Sequence, residues 1–204
     1  MDLRETYNRI AASWHAAHAN DDWWIEGTNS FAQLLQPGAS VLDIGCGSGM
    51  KCKYFCDRGF KVLGIDISDA MIEIAKREAP RAEFKLLSMA DLDSIPDTFD
   101  AVFAQASLLH IPKKDAGDVV MKMARRVAKD GLLYIAVKEA REGMPDEQIM
   151  TENDYGYDYE RFFSFFTMDE LEEYLRNASL EVVSKVRNSS LSGKTVWLQI
   201  VGKK

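Results

Sequence analysis

The residues richest in chemical content lie in one short run, Val41-Leu42-Asp43-Ile44-Gly45-Cys46-Gly47-Ser48-Gly49, and in one carboxylate further along, Asp66. Glycines at three alternate positions leave a backbone free to take positive φ and bare of Cβ atoms where a ligand must come close. The spacing is G-x-G-x-G. A dinucleotide loop places its third glycine where Met50 stands, and a P-loop needs a lysine directly after its last glycine, so neither pattern is met. Asp66 follows Gly49 by 17 residues, about the length of one return through a helix to the next strand. A carboxylate there can accept both hydroxyls of an adenosine ribose, in charge-assisted hydrogen bonds of roughly 1.5–3 kcal/mol each.

The elements that must position these groups are legible as short apolar runs alternating with helix-period segments. Residues 39–45 read as a strand after the Pro37-Gly38 breaker, and Met50 to Asp57 as a helix closed by Gly59. A second strand is expected at 60–66. Ser68 and Asp69 then cap a helix carrying Met71, Ile72, Ile74 and Ala75, which stops at Pro80. A third strand is expected at 82–88, a buried fourth at 99–106, an amphipathic helix from Lys113 to Lys129, and a fifth strand at 131–139 entered through the Asp130-Gly131 turn. Thr167 and Glu170 form a T-x-x-E capping box for a helix running to Asn177. Two final strands, 180–188 and 194–202, are separated by the serine-rich segment Ser189 to Gly193, and their closeness implies antiparallel pairing.

This pattern predicts one α/β domain spanning 1–204 with a doubly wound, mostly parallel sheet. Its parts are an N-terminal helical cap (1–36, with helices at Arg4–Asn20 and Asp22–Leu35), a cofactor-binding core (38–140), a lid-like insertion (141–166) and a C-terminal helix with two strands (167–204). The insertion carries Tyr155, Tyr157, Tyr159, Phe162, Phe163, Phe165 and Phe166, aromatic surface suited to a lid over a small acceptor or to an edge strand on the sheet.

Composition narrows the partners. Twenty-five basic against thirty-two acidic residues give a net charge of -7, which repels phosphate backbones and anionic membranes, so neither nucleic acid nor membrane is an expected partner. The first residues lack a signal-peptide apolar core and no run reaches transmembrane length, which predicts a cytoplasmic protein. Cys46, Cys52 and Cys56 contain no C-x-x-C pair and read as packing residues, with no metal expected. The oligomeric state is not fixed by these residues.

In order and spacing, VLDIGCGSG, GIDIS and FDAVFAQASLLHIP resemble the class I S-adenosylmethionine-dependent methyltransferases over roughly residues 38–140, and RFFSFFTMDELEEYLRNASLEVV is similar to the late segment of members acting on small molecules. The resemblance implies a Rossmann-like sheet of seven strands in the order 3-2-1-4-5-7-6 with strand 7 antiparallel, and S-adenosyl-L-methionine as cofactor. It implies that Asp43 and the loop Gly45, Cys46, Gly47 and Gly49 hold the methionine part, and that Asp66, with Ile67 beside it, takes the ribose hydroxyls. The adenine position falls on Ser88, with Met89 beside the ring. The family usually places an aspartate there, and Asp91 is the alternative if the loop is registered differently. Ala104 and Gln105 match positions beside the cofactor methionine, although Gln105 also reads as a satisfied buried amide. Tyr7 and Trp14 resemble aromatics that close over the cofactor, and core packing at i and i+7 explains them equally well.

Methyl transfer from a sulfonium needs positioning of the nucleophile above all, with a base where the acceptor carries a proton. His110 in LLHIP is the leading base, and also reads as a structural histidine. His15, His18, Glu139 and Arg161 are weaker candidates. The expected function is methyl transfer to an O, N or S atom of a small molecule. The alternatives are a non-catalytic S-adenosylmethionine-binding protein, a tRNA or protein methyltransferase, and a nicotinamide-dependent oxidoreductase, against which the glycine spacing argues.

Overall fold

Ser40–Ile44 (β1) is aliphatic except for Asp43 and is buried along almost its whole length, as a central parallel strand must be. The computed structural model in which it sits describes residues 2–189 and 195–204, in two compact units.

The first unit, Met1–Asp91 with Ile149–Phe162, opens with helices α1 (Leu3–His18) and α2 (Ile25–Ala32), followed by β1, α3 (Met50–Asp57), β2 (Lys61–Asp66), α4 (Asp69–Glu78) and β3 (Glu83–Leu86). β2 pairs in parallel with β1 and β3, setting Asp43 opposite Gly64 and Asp66 opposite Leu86. Gly64 is required by close approach, because a Cβ there would stand 2.8 Å from the Phe84 ring and 2.9 Å from Cys52 Sγ. α1 is capped by Asp2 and packs Ala11 against Met71 and Ile74 of α4, with Tyr7 and Trp14 on the same cluster. Polar contacts fix that packing. The Ser68 hydroxyl donates to Asn8 Oδ1 at 2.6 Å, and Asn8 Nδ2 donates to Asp69 Oδ1 at 2.8 Å.

The second unit, Leu92–Gln148 with Phe163–Lys204, contains β4 (Phe99–Gln105), α5 (Lys113–Arg126) and β5 (Val127–Lys138). Next in the chain come two short strands, β6 (Glu147–Glu152) and β7 (Tyr159–Ser164), in a two-stranded sheet of their own, with residues 149–152 and 159–162 counted in the first unit. α6 (Met168–Asn177), β8 (Glu181–Ser189) and β9 (Val196–Lys203) complete the chain. The strand order of the main sheet is β3-β2-β1-β4-β5-β9-β8, which is the expected order once the two extra strands are counted, and β9 is antiparallel to both β5 and β8. The capping box forms: Glu170 N–H donates to Thr167 Oγ1 at 3.2 Å and Thr167 N–H to Glu170 Oε2 at 2.7 Å.

Several boundaries differ from expectation. α5 ends at Arg126 rather than Lys129, and Asp130-Gly131 is an irregularity inside β5 rather than a turn before it. Phe99 pairs with Val127 but Ala101 with Leu132, so the surplus residues bulge there. Asp130 takes φ 62°, and a Cβ on Gly131 would stand 2.9 Å from the Asp100 carbonyl. The helix expected at Asp22–Leu35 is shorter, Ile25–Ala32. The 141–166 segment supplies β6 and β7, which pair with each other, and no part of it is a strand of the main sheet. Most of the serine-rich segment, and the start of the strand expected at 194, lie outside the described residues.

Candidate functional site

The loop after β1 is built by backbone geometry. Gly45, Gly47 and Gly49 take φ of 72°, 53° and 83°, all in the left-handed region that side chains disfavour. The loop is fastened to β2, since the Gly45 and Cys46 N–H groups both donate to the Ile65 carbonyl at 2.8 and 3.0 Å. Gly49 has a second role. It begins α3, and a Cβ on it would stand 2.9 Å from both Cα and Cβ of Ala75, whereas a Cβ on Gly47 would meet nothing within 4 Å.

Asp66 closes on this loop. Its Oδ2 accepts the Gly47 N–H at 2.9 Å and its Oδ1 the Ser68 N–H at 2.9 Å. Burial raises its pKa, while the Ser68, Gly47 and Ile67 N–H groups oppose the rise. The carboxylate keeps lone-pair capacity for a ligand hydroxyl beyond these backbone donors.

Asp43 is 1% exposed. Burial pushes its pKa up to about 6, against the opposing pull of the Lys51 ammonium and of the Cys52 thiol, which donates to Asp43 Oδ2 at 3.2 Å. Lys51 is held below the ordinary lysine value by burial, offset in part by Asp43. The three cysteines are free and buried, and burial raises the Cys52 thiol well above its ordinary value, leaving it a neutral donor.

Tyr7 on α1 also belongs to this unit. Arg161 Nη1 reaches its hydroxyl at 3.5 Å, and Arg161 is held by Glu152 through bonds of 2.5 and 2.6 Å. Burial raises the Tyr7 pKa, Arg161 opposes that rise, and Asp66 adds to it through space. The neighbouring turn clasps α1 as well: the Arg9 guanidinium lies 4.3 Å from the Tyr157 ring centroid and donates to the Asp158 carbonyl at 3.1 Å. Trp14 packs with Tyr7 on the α1–α4 cluster and stacks near His18, ring centroids 4.6 Å apart. Ser88 is half-buried, and its Oγ accepts the Ala90 N–H at 3.1 Å. Met89 opens a 3-10 turn, and Asp91 is exposed.

The second unit carries Ala104, Gln105 and His110. Ala104 is fully buried, and Gln105 is 4% exposed with its Nε2 3.5 Å from the Tyr134 hydroxyl. Ala106, next along, holds φ 58°, a strained conformation for alanine directly after β4. His110 is half-buried with its ring 5.0 Å from that of Phe163. Among the weaker candidates, His15 lies 3.5 Å from Glu78, His18 is 2.8 Å from Asp21, and Glu139 is bonded twice to Arg187 at 2.7 Å. Sequence reasoning missed Lys51. The one signal available was a lysine near the start of the helix following the glycine loop.

A parallel sheet in this order, with a glycine loop after its first strand and a carboxylate at the end of its second, defines a Rossmann-like cofactor-binding protein. Residues 41–131 match the family described as a methyltransferase domain, and the relatives and solved structures below support a class I S-adenosylmethionine-dependent methyltransferase. It is 30% identical over 118 residues to the ubiquinone biosynthesis O-methyltransferase of Dechloromonas aromatica, a match covering 55% of this chain and 48% of that one. It is 32% identical over 108 residues to the magnesium-protoporphyrin O-methyltransferase of Rhodobacter capsulatus, covering 50% and 47%. These matches span about half the length of the relatives. The fold is similar to that of Burkholderia thailandensis 1,6-didemethyltoxoflavin-N1-methyltransferase, solved with its acceptor and S-adenosylhomocysteine. The TM-score is 0.78 at 21% identity, over 99% of this chain and 87% of that one.

Proposed function

We propose that the protein transfers a methyl group from S-adenosylmethionine to an O, N or S atom of a small organic acceptor in the cytoplasm. No helix among the described residues is long and apolar enough to cross a membrane. The observation that carries the reading is the Gly47 N–H bonded to the Asp66 carboxylate, which supports Asp66 as the ribose-accepting group beside the bare loop. When bound, the cofactor supplies a sulfonium methyl already activated for in-line displacement. The chain's part is to orient. Asp66 accepts the ribose hydroxyls beside Ile67, the 45–49 backbone admits the ligand closely, and Ser88 with Met89 meets the adenine. Asp43 with Cys46 receives the amino-acid end, Ala104 and Gln105 line it by resemblance, and Tyr7 and Trp14 cover the ligand from α1. His110 takes the acceptor's proton on a ring nitrogen. The tyrosine-rich turn clasping α1 through Arg9 serves as a lid.

The small-molecule acceptor is supported by the acceptors in the relatives' names and by the acidic surface, which disfavours nucleic acid. Incubating the protein and isotopically labelled S-adenosylmethionine with cell extract, followed by mass spectrometry, is expected to place label on a small metabolite. Label on RNA or protein alone sinks the acceptor class. S-adenosylhomocysteine that leaves the melting temperature unmoved at saturation sinks the whole reading.

A further inference from the structure

One buried hydroxyl of the second unit is left over once the contacts above are drawn. Ser107 is 4% exposed, yet its Oγ has no hydrogen-bond partner among the described residues. Buried polar groups are nearly always paired, so this one asks for a partner that the chain does not supply. It follows directly on Ala106, whose φ of 58° is strained for a residue with a side chain, and strain of that kind gathers at sites that hold ligands. The sheet holds the strain in place, because the Ala106 N–H donates to the Ala136 carbonyl at 2.9 Å.

The groups around Ser107, all in the second unit, can be followed contact by contact. Ser107 opens a single 3-10 turn, Leu108–His110, and its carbonyl accepts the His110 N–H at 3.0 Å. Residues three apart in such a turn eclipse one another, so the Ser107 and His110 side chains share one side of it. The His110 ring stands 5.0 Å from that of Phe163, and Lys138 Nζ lies 4.1 Å from the Phe163 ring centroid. Two bonds fasten this frame. The Ser164 hydroxyl donates to the Ile111 carbonyl at 2.7 Å, tying the end of β7 to the residue after His110, and the Phe166 N–H donates to the Lys138 carbonyl at 3.1 Å. The sheet also sets Ser107 and Lys138 at the same end. β4 and β5 run parallel with Gln105 paired to Ala136, and each of the two residues stands two positions beyond that rung. The carboxyl ends of parallel strands are where open α/β sheets receive ligands. The carboxylates further along have cations of their own: Glu139 is bonded twice to Arg187, and Asp146 and Glu170 both meet Lys113.

We infer that Ser107 and Lys138 form a subsite for a carboxylate of the methyl acceptor, whose organic body lies against Phe163 beside His110. The inference rests on the methyl-transfer reading above and goes further, because it states the acceptor's charge. The Ser107 hydroxyl donates to a carboxylate oxygen and Lys138 supplies the countercharge. One ammonium matches the single charge of a carboxylate, whereas a phosphate monoester carries nearly two. A local cation is needed for any anion to be held, since the chain as a whole carries a net charge of -7.

The test uses the full chain, isotopically labelled S-adenosylmethionine and cell extract fractionated on an anion-exchange resin, with S-adenosylhomocysteine titrated alongside. Label is expected in material that the resin retains at about pH 7 and releases at about pH 2, where carboxylates are protonated. Label only in the unretained fraction, or only in material still held at about pH 2, overturns the subsite. Lys138→Met removes the charge and keeps most of the stem, and Lys138→Arg keeps the charge. Lys138→Met is expected to lower the apparent kcat/KM toward the retained fraction by about tenfold or more, chiefly through KM, with S-adenosylhomocysteine affinity within about twofold of the parent. Lys138→Arg is expected to recover most of that loss. Ser107→Ala, the smaller change, is expected to raise the apparent KM by about fivefold and serves should Lys138→Met fold poorly. Parent-like labelling by both variants, or equal losses of labelling and of S-adenosylhomocysteine binding, overturns the subsite. A parent chain that labels no small molecule at all would instead overturn the methyl-transfer reading itself, so the two failures are distinct.

Discussion

Gly47 and Gly49 sit two residues apart in one loop, and alanine at each is expected to fail for a different reason. Both hold left-handed φ, 53° and 83°, so each alanine meets a backbone strain of about 1–2 kcal/mol. Gly47→Ala adds nothing further to the unliganded protein, because its Cβ has no atom within 4 Å. Gly49→Ala drives its Cβ to 2.9 Å from Ala75 Cα, a backbone atom of α4 that cannot swing aside. Overpacking of that kind adds about 1–3 kcal/mol. In a chain of this size each kcal/mol lowers the melting temperature by roughly 2–4 °C, so Gly47→Ala is expected to lose about 2–8 °C and Gly49→Ala about 4–20 °C. Binding reverses the ranking relative to stability. The space above Gly47 is where the ligand is proposed to lie, so the added methyl weakens S-adenosylhomocysteine by at least about tenfold in a protein that stays folded. Scanning calorimetry and titration calorimetry on both variants check this. Gly47→Ala binding within about threefold of the parent would refute a ligand over this loop. Equal melting temperatures would refute the tight approach of Gly49 to α4.

Asp66→Asn is expected to weaken S-adenosylhomocysteine by about 1.5–3 kcal/mol, read by titration calorimetry, because a neutral amide cannot accept both ribose hydroxyls as a carboxylate does. Arg161→Met leaves Glu152 charged and enclosed and is expected to destabilise by about 3 kcal/mol in denaturant melts. Adding Glu152→Gln should recover much of that loss, since the deserted charge is then gone. Asp43, raised by burial to about 6, holds a proton in the folded protein between about pH 4 and 6 that the unfolded chain has released. Its effect on the unliganded fold is therefore a loss of stability as pH rises through that window, levelling off above it. An ammonium ligand needs the ionised form, so its affinity runs the other way. The gap in melting temperature between liganded and free protein is expected to widen from about pH 5 to pH 7, and a constant gap would remove Asp43 from the site.

The parts of this molecule written in backbone chemistry were legible in its sequence. Glycines at 45, 47 and 49 are needed at positive φ, Thr167 and Glu170 cap each other, and the alternating apolar runs mark the strands of a βαβ sheet whose order the family resemblance supplied. Side-chain partnerships formed across long separations were not. Nothing local pairs Glu152 with Arg161 and Arg161 with Tyr7, or sets Trp24 on the face of α3 carrying Lys51 and Tyr54. Cys52 read as packing and is buried, but its spacing does not disclose that it also donates to Asp43. The Asp130-Gly131 pair shows the opposite error, a strong local turn signal that pairing with β4 absorbs as a bulge.

Two carboxylates in the first unit, Asp43 buried and Asp66 half-buried, give the site a charge preference that its geometry alone does not. Asp43 and Asp66 are each raised by burial, and Asp66 raises Asp43 further through space. A cationic ligand relieves this arrangement and a neutral one relieves it less. On the proposed reading the substrate form of the cofactor carries an ammonium, a carboxylate and a sulfonium, and so one net positive charge. The product form has lost the sulfonium charge and is neutral overall. The same carboxylates that favour entry of the charged form therefore hold the spent form less strongly. Lys51 limits the effect by setting one positive charge near Asp43, which opposes the rise that burial imposes on that carboxylate.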